Sequence, residues 1–484
     1  MVKNELNKTF KKKSMMVLLV IILLFIVLTN FIYHTFYNED GIMNEKSYEE
    51  DIAYYEKSLK GLNLSNEDDL NDYITYKTEI EVIKLSQEYK NDSWQSFVIK
   101  NNISELIREI NYYTYKVNKD NTKLKELKAK KNKMIKNLEN NDWQSFLKNE
   151  LKEESNSLKE KEILLSKEKN KTKKVNLIKE ISIIKLNIEA LNYRLDKNIS
   201  YDKSYLNTAL EKYYNFKKEE LDYNEKKASY NEKRAFNNSL TEMAKNKYTL
   251  DHEQNILNER NTRGILGNLF SEYEMIMVVA IIMISGSIVS EEFSKGTIKL
   301  LLIRPHSRIK ILTSKLISCF ISILIVFAAI VILQLIVGGI FFGFSSLSLP
   351  IVIYNFSNKS IETYNVFIYL LILLLAHLPK YILLVTLAFC ISTIFKNTAL
   401  ATTIGILGYI SSEVINLVVI NKNIEQFKIF VTLNWNIEQY LFGNLPEFSY
   451  VTLPFSIFIC IIYFVIMLIP TYIIFNKTNI RNTQ

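Results

Sequence analysis

Six apolar runs set the terms for any fold this chain can adopt: Met15–Phe31, Met275–Val289, Leu312–Phe342, Val366–Phe395, Ala399–Ile420 and Val451–Phe475. The first is almost wholly Val, Leu, Ile, Met and Phe, behind Lys8, Lys11, Lys12 and Lys13. A secretory signal starts in the same way. This run, however, is long enough to cross about 30 Å of hydrocarbon, and no small-residue cleavage site follows it. It reads as an uncleaved span. Backbone amides inside a bilayer must find partners within their own segment, so the runs are expected to be helices. The fold class is then an all-α membrane protein with six transmembrane helices.

Lysine and arginine placement orients the spans. The amino terminus is basic, and the stretch from Lys295 to Lys315 holds Lys295, Lys299, Arg304, Arg308, Lys310 and Lys315. Lys396 marks the next turn on that side, and Lys477 and Arg481 mark the carboxyl terminus. The alternate loops, Phe344–Tyr364 and Asn421–Tyr450, carry only Lys359 in the first and Lys422 and Lys428 in the second. Both termini are therefore expected in the cytoplasm. Residues 1–36 read as the amino terminus and first span, 37–270 as an extracellular domain, and 271–484 as the remaining five spans with a cytoplasmic loop at 290–315. A multi-pass protein of the plasma membrane, with lipid as its surroundings, is expected.

The 37–270 region is helical in its chemistry. No Gly, Pro or Cys falls between Gly61 and Gly264. Leu177, Ile181, Ile184, Ile188, Leu191 and Leu195 alternate steps of four and three, a heptad seam. Leu151, Leu158 and Leu165 keep the same period one helix earlier, and the polar run Ser166–Lys174 between them predicts a helix-to-helix turn. A third seam passes through Ile110, Tyr113, Val117, Leu124, Leu127, Met134 and Leu138, broken near Asn121 and Lys131. From Gly41 to Phe270, 42 Lys and Arg nearly balance 39 Asp and Glu. Balanced charge over apolar seams describes packed helical hairpins of coiled-coil type. The net charge of +9 is spread along membrane flanks and helices, a pattern that does not suit nucleic acid.

A short motif occurs twice, as Asn-Asp-Ser-Trp-Gln-Ser-Phe at 91–97 and Asn-Asp-Trp-Gln-Ser-Phe at 141–146. Asp or Asn ahead of an aromatic and a helical run is an amino-terminal cap signature. Trp94 and Trp143 are then either staples between neighbouring hairpins or an extracellular recognition surface. Three polar residues interrupt the later spans: His377 and Lys380, which flank Pro379, and Glu413. Ionisable groups at membrane depth default to a substrate pathway. The fourth run is also long enough to hold a broken helix, which would let Lys380 snorkel to the interface. Glu272 and Glu274 read as boundary residues of the second span.

No chemical engine is legible. None of the twelve glycines precedes a lysine, so a phosphate-binding G-x-x-x-x-G-K-[ST] loop is missing. The four histidines have no metal-site spacing, the three cysteines sit apart in apolar sequence, and there is no G-x-S-x-G elbow. The chain is expected to be no enzyme and to hold no cofactor or metal of its own.

The segment Ser290–Lys315 is richer than a plain connector. Glu291 and Glu292 are followed by Gly296-Thr297, the apolar-basic run Ile298–Ile303 with Leu301 and Leu302, then Arg304-Pro305, Ser307-Arg308 and Lys315. Gly296 permits a sharp exit from the second span, and Pro305 ends a short helix whose Ile298, Leu301 and Leu302 can face lipid or a partner groove. The positive-inside rule accounts for the basic residues but not for the acidic pair or the Gly-Thr step. This order resembles the ABC-2 family of permeases over the six spans. "DWQSFL" and "LNYRLDKNIS" (191–200) resemble the outer helical region of a Gram-positive subgroup of that family. Most ABC-2 permeases have a short first outer loop, so the long 37–270 region departs from the wider pattern.

The resemblance implies that the 290–315 loop carries a coupling helix docking into a separate ATPase subunit, a dimer that binds ATP-Mg. It also implies a second permease copy or homologue. The chain would then be the permease of an ATP-driven exporter of antimicrobial peptides, lipids or similar amphipathic compounds. The alternative is a non-transporting sensor or surface receptor whose helical region binds a ligand. The topology is directly testable. With the native cysteines removed, Asn170→Cys and Asn358→Cys should react with a membrane-impermeant thiol reagent in intact cells, and Ser294→Cys should not. Labelling at 294 with none at 170 would invert the orientation.

Overall fold

The computed structural model describes residues 1–36, 48–116, 121–298, 306–422 and 425–477. The chain divides into two compact units: Met1–Gly41 with Ser229–Ala244 and Asn258–Gln484, and Ile42–Ala228 with Lys245–Leu257.

The first unit is built on six helices that are long and apolar enough to cross a membrane, one for each apolar run. We number the spans in chain order: Lys13–Phe36, Leu269–Ser287, Arg308–Phe342, Val366–Phe395, Thr398–Lys422 and Leu453–Lys477. The chain is a multi-pass membrane protein. The second span starts at Leu269, ahead of the Met275 expected from hydropathy, because its first polar residues have partners inside the protein. The Tyr33 hydroxyl, for example, donates to Glu272 at 2.7 Å.

The fourth span is a single helix through Pro379, so of the two arrangements its length allows it takes the continuous one. The second and fourth spans are the most enclosed, and the fifth and sixth keep broad aliphatic faces for lipid. Gly405 lets the second and fifth spans approach closely, since a Cβ there would lie 2.7 Å from Ile282 Cγ2. The Asn30 and Gln334 amides donate to one another at 2.8 and 3.1 Å, and the Tyr273 hydroxyl adds a third bond to Gln334 Oε1 at 2.7 Å. That triad ties the first three spans together.

Helix accounts for most of the chain but not all of it. Ile351–Asn355 and Ser360–Tyr364 pair antiparallel, with Ile351 opposite Tyr364 and Asn355 opposite Ser360. The Asn355 side chain accepts the Ser357 and Asn358 amides, an Asx turn that closes the hairpin. The fold is predominantly helical, as expected, and this short hairpin is an addition to it: β-branched residues at its start and a local turn act over a stretch too short for periodicity to be read.

The boundary expected at 270 also moves, because residues 229–244 and 258–270 belong with the spans. Their polar groups bond to the later loops of that unit. Tyr230 donates to the Pro446 carbonyl at 2.6 Å, Arg263 to the Pro350 carbonyl at 2.8 Å, and Thr262 to the Gly343 carbonyl at 2.7 Å.

The second unit is helical throughout its described residues. Trp143–Lys167 and Lys171–Lys197 form the hairpin that the seams predicted, with the turn inside the 166–174 run. Glu168 accepts the Lys169 and Asn170 amides, and the Asn170 side chain caps the second helix. Ile181, Ile184 and Leu191 are buried along its seam.

The third seam occupies two helices, Ser104–Tyr115 and Asn121–Glu139. A break near Asn121 is therefore real, whereas the helix runs unbroken through Lys131; Val117 lies outside the described residues. The Trp motif does cap helices, through Ser93 and Asp142. Trp94 is buried and its indole N–H donates to Asn141 Oδ1 at 2.9 Å, so the first copy of the motif is bonded to the second. Trp143 packs half-buried at the edge of the same cluster, around Val98, Ile99, Phe146 and Leu147. Both tryptophans act as staples.

Leu147 is fully buried in that cluster, whereas Leu164 on the same helix is 52% exposed. Leu147→Ala should cost about 2–5 kcal/mol. Leu164→Ala should change stability by no more than about 0.5 kcal/mol. Thermal unfolding followed by far-UV circular dichroism measures the difference.

Candidate functional site

Two charged clusters sit at opposite ends of the second span. The first lines a cavity of about 440 Å3 bounded by the second, fourth and fifth spans and the 435–447 segment. Lys380, buried one turn from His377 on the fourth span, pairs with Glu274 at 3.1 Å and Glu413 at 3.5 Å. Its ammonium also lies 5.0 Å from the centre of the Tyr409 ring, a cation–π contact. His377 Nδ1 is 3.2 Å from Glu274, and Nε2 is 2.9 Å from Glu438. The imidazole lies flat against Phe270, with ring centres 4.3 Å apart and planes within 4°. Carboxylates only accept hydrogen bonds, so both imidazole contacts persist only while the ring carries two protons or one carboxyl carries one. The site is thus a place to hold a proton.

Four carboxylates line this cavity (Glu274, Glu413, Glu438 and Glu447) together with Lys380 and His377. Arg234 meets Glu447 at 3.3 Å. Low-dielectric walls make each of these charges count for more than it would in water. His377, Lys380 and Glu413, all expected to be pathway residues, are therefore brought together. The Lys380 ammonium turns inward, to Glu274 and Glu413, from a helix that is unbroken.

Glu274, expected as a boundary residue, lies in the first turns of the second span and is the hub that both His377 and Lys380 reach. Glu438 escaped sequence reading altogether. It lies on the Ile437–Gly443 turn far along the chain, where no spacing links it to His377.

The second cluster fastens the amino terminus to the loop after the second span. Val2–Phe10 is an amphipathic helix, too short for its period to stand out in the sequence beside its topology-setting lysines. Lys315, 1% exposed, donates to Glu5 at 2.7 Å, to Glu292 at 3.3 Å and to the Ile288 carbonyl at 3.1 Å. Lys8 and the Thr297 hydroxyl also bond to Glu292. Lys12 and Lys295 each reach Glu291 at 3.0 Å.

Gly296 has φ +69°, the left-handed region where a side chain is strained, and it turns the chain after the short Ser290–Ser294 helix. Of the residues expected to dock a partner, Glu292 is buried in this ionic clasp and Thr297 serves it. Ile298 is also buried, in the core, which corrects the expectation that it faces lipid or a groove. Arg308 donates to the Asn476 carbonyl at 2.9 Å. Leu301, Leu302, Arg304 and Pro305 lie outside the described residues.

Burial alone would raise the Glu292 pKa, but Lys315, Lys8 and Thr297 outweigh it and hold the carboxyl at about 2, against an ordinary 4.5. Glu291 is likewise lowered, its burial being outweighed by Lys295 and Lys12. A depressed carboxyl stabilises the fold above its unfolded pKa, and that contribution is lost as pH falls through the folded value. Thermal stability of the purified protein should therefore gain nothing from Glu292 by raising the pH above 4.5, and should lose its contribution between 4.5 and about 2. Glu292→Gln should destabilise the protein at neutral pH by about 3 kcal/mol, since Lys315 loses a buried partner. It should also remove most of that acid-dependent loss.

Residues 236–481, just over half of the chain, match the DUF2705 family, described as a protein of unknown function. "Uncharacterized protein YhcI" of Bacillus subtilis (strain 168) is 30% identical over 201 residues, which cover 42% of this chain and 64% of that protein. "Uncharacterized membrane protein YdbK" of the same organism is 29% identical over 201 residues, 41% of this chain and 76% of its own length. The chain thus spans somewhat less than two thirds of the first of these relatives. No solved structure matches it. Both charged clusters fall largely within the 236–481 region, and the chain belongs to the DUF2705 family.

Proposed function

We propose that this chain is the membrane-spanning permease subunit of an ATP-driven exporter of the ABC-2 type, moving amphipathic compounds such as antimicrobial peptides or lipids. ATP-Mg is bound and hydrolysed on a separate ATPase subunit. Both termini are cytoplasmic, the helical region after the first span is extracellular, and a second permease copy or homologue completes the transporter. The observation that carries this reading is the clasp joining Lys315, Glu292, Glu5 and Lys8. It binds the loop that resembles a coupling loop to the start of the third span and to the helix preceding the first. Force applied to that loop by a partner reaches two spans directly. The charged cavity at the far end of the second span then supplies the pathway, with His377, Lys380, Glu413 and Glu274 in its wall.

The test is copurification from native membranes. An ATPase subunit should accompany the parent protein. Leu301→Ser with Leu302→Ser removes two apolar contacts worth about 1.5–3 kcal/mol each. It leaves every lysine and arginine that sets topology. The double variant should insert normally while losing the ATPase and substrate-dependent resistance. If no ATPase accompanies the parent, the sensor or receptor reading takes its place.

A further inference from the structure

The hairpin of the second unit ends in a tip that seam packing does not explain. Its two helices hold together along Leu151, Leu158 and Leu165 on one side and Leu177, Ile181, Ile184 and Leu191 on the other. Elsewhere on these helices the off-seam apolar residues Ile183, Leu186 and Ala190 are partly buried, and ion pairs cross between the helices: Lys161 with Glu180 at 2.5 Å and Lys185 with Glu162 at 3.3 Å. At the tip the pattern changes. Ile163, Leu164, Val175 and Ile178 lie off the seam and are 54, 52, 61 and 52% exposed. Val175 and Ile178 are three apart and share a helix face. Single exposed aliphatics are ordinary, but four within two turns of one hairpin end make a patch.

The same tip concentrates positive charge. Lys167, Lys169, Lys171, Lys173 and Lys174 are all exposed, with Glu168 the one acidic residue of the 166–174 run. The Glu168 carboxylate is occupied in accepting the Lys169 and Asn170 amides. Among the described residues none of the five ammonium groups forms an ion pair, in contrast to the paired lysines down the shaft. The tip also lies about 25 Å beyond Leu147 and its core cluster, at 1.5 Å of rise per residue.

We infer that this tip binds the surface of an anionic lipid bilayer, its four aliphatic side chains entering the headgroup boundary while the lysines meet lipid phosphates. Interleaved aliphatic and lysine side chains on a helix end are what an anionic bilayer accommodates, because it offers a charged plane and hydrocarbon beneath it. A soluble polyanion would engage the lysines and leave the aliphatic side chains in water. The inference is independent of the transport reading, since it concerns only the helical unit.

The full chain, with Cys319, Cys390 and Cys460 replaced, can be held in phosphatidylcholine nanodiscs with a polarity-sensitive fluorophore on Asn170→Cys. Added vesicles of phosphatidylcholine mixed with phosphatidylglycerol should shift the emission to the blue and weaken that shift as salt is raised. Vesicles of phosphatidylcholine alone should give none. Lys171→Gln, Lys173→Gln and Lys174→Gln together should weaken binding about a hundredfold, at roughly fivefold for each lysine near an anionic surface. Ile163→Ser, Leu164→Ser, Val175→Ser and Ile178→Ser together should abolish the blue shift. If that variant loses helicity, the lysine variant alone decides. No shift with either vesicle, or an equal shift with both, would overturn the inference. So would unchanged binding by the serine variant with full competition from poly-glutamate, which would assign the tip to a soluble polyanion.

Discussion

An ammonium group enclosed among membrane-spanning helices is largely cut off from bulk water, and the architecture of the spans follows from how two of them are satisfied. Lys315 is 1% exposed and Lys380 is 6% exposed. Removing such a charge from water costs several kcal/mol unless a carboxylate is close and well placed. Glu5 and Glu292 meet Lys315 at one end of the second span, and Glu274 and Glu413 meet Lys380 at the other. Beside Glu274 on the second span, the Asn30–Gln334–Tyr273 triad ties the first three spans together. Lipid supplies no hydrophobic force to hold helices together, so these polar contacts and the close approach at Gly405 specify which helices are neighbours. The second span takes part at every level.

That arrangement gives a physical basis for communication along the bundle. The clasp and the cavity are separated by most of the second span, about 25 Å by helix rise. Each uses partners that have alternatives: Lys380 faces two carboxylates, and Glu292 is shared by Lys315, Lys8 and Thr297. Clusters of this kind change partners without leaving a charge unpaired, which is what a membrane helix needs in order to shift between two positions. Under the proposed exporter reading, the loop that would receive the ATPase sits on the clasp. The proton held between His377 and two glutamates sits where cargo would pass.

The sequence announced the spans because hydropathy needs no tertiary information. His377, Lys380 and Glu413 were legible for a related reason: an ionisable residue inside an apolar run must be explained by a partner. The partners themselves were not legible. Glu274 lay just outside a run, and only the true start of the helix turns it inward. Glu438 and Glu5 are distant in the chain and carry no pattern of their own. Asn30 and Gln334 were hidden by the hydropathy of their surroundings. The Trp motif showed itself as a cap signal, but the bond from Trp94 to Asn141 depends on the left-handed backbone of Asn141, at φ +54°. In the 290–315 loop, Gly296 was correctly read as a turn. Burial of Glu292 and Ile298 was not foreseen, because an acidic residue beside a basic loop looks the same whether it faces a partner or its own amino terminus.

The central claim is that the charges around Lys380 line a working aqueous cavity and are more than a dry internal brace. Reactivity of single cysteines on the fifth span measures this directly, in a background lacking the native cysteines. Asn416 lines the cavity, whereas Val414, 57% exposed on the same helix, lies outside the lining. A charged, water-soluble thiol reagent should modify Asn416→Cys readily and Val414→Cys slowly, with Lys380 and Glu274 intact. Equal rates at the two positions, or protection of 416 with reaction at 414, would contradict an aqueous cavity.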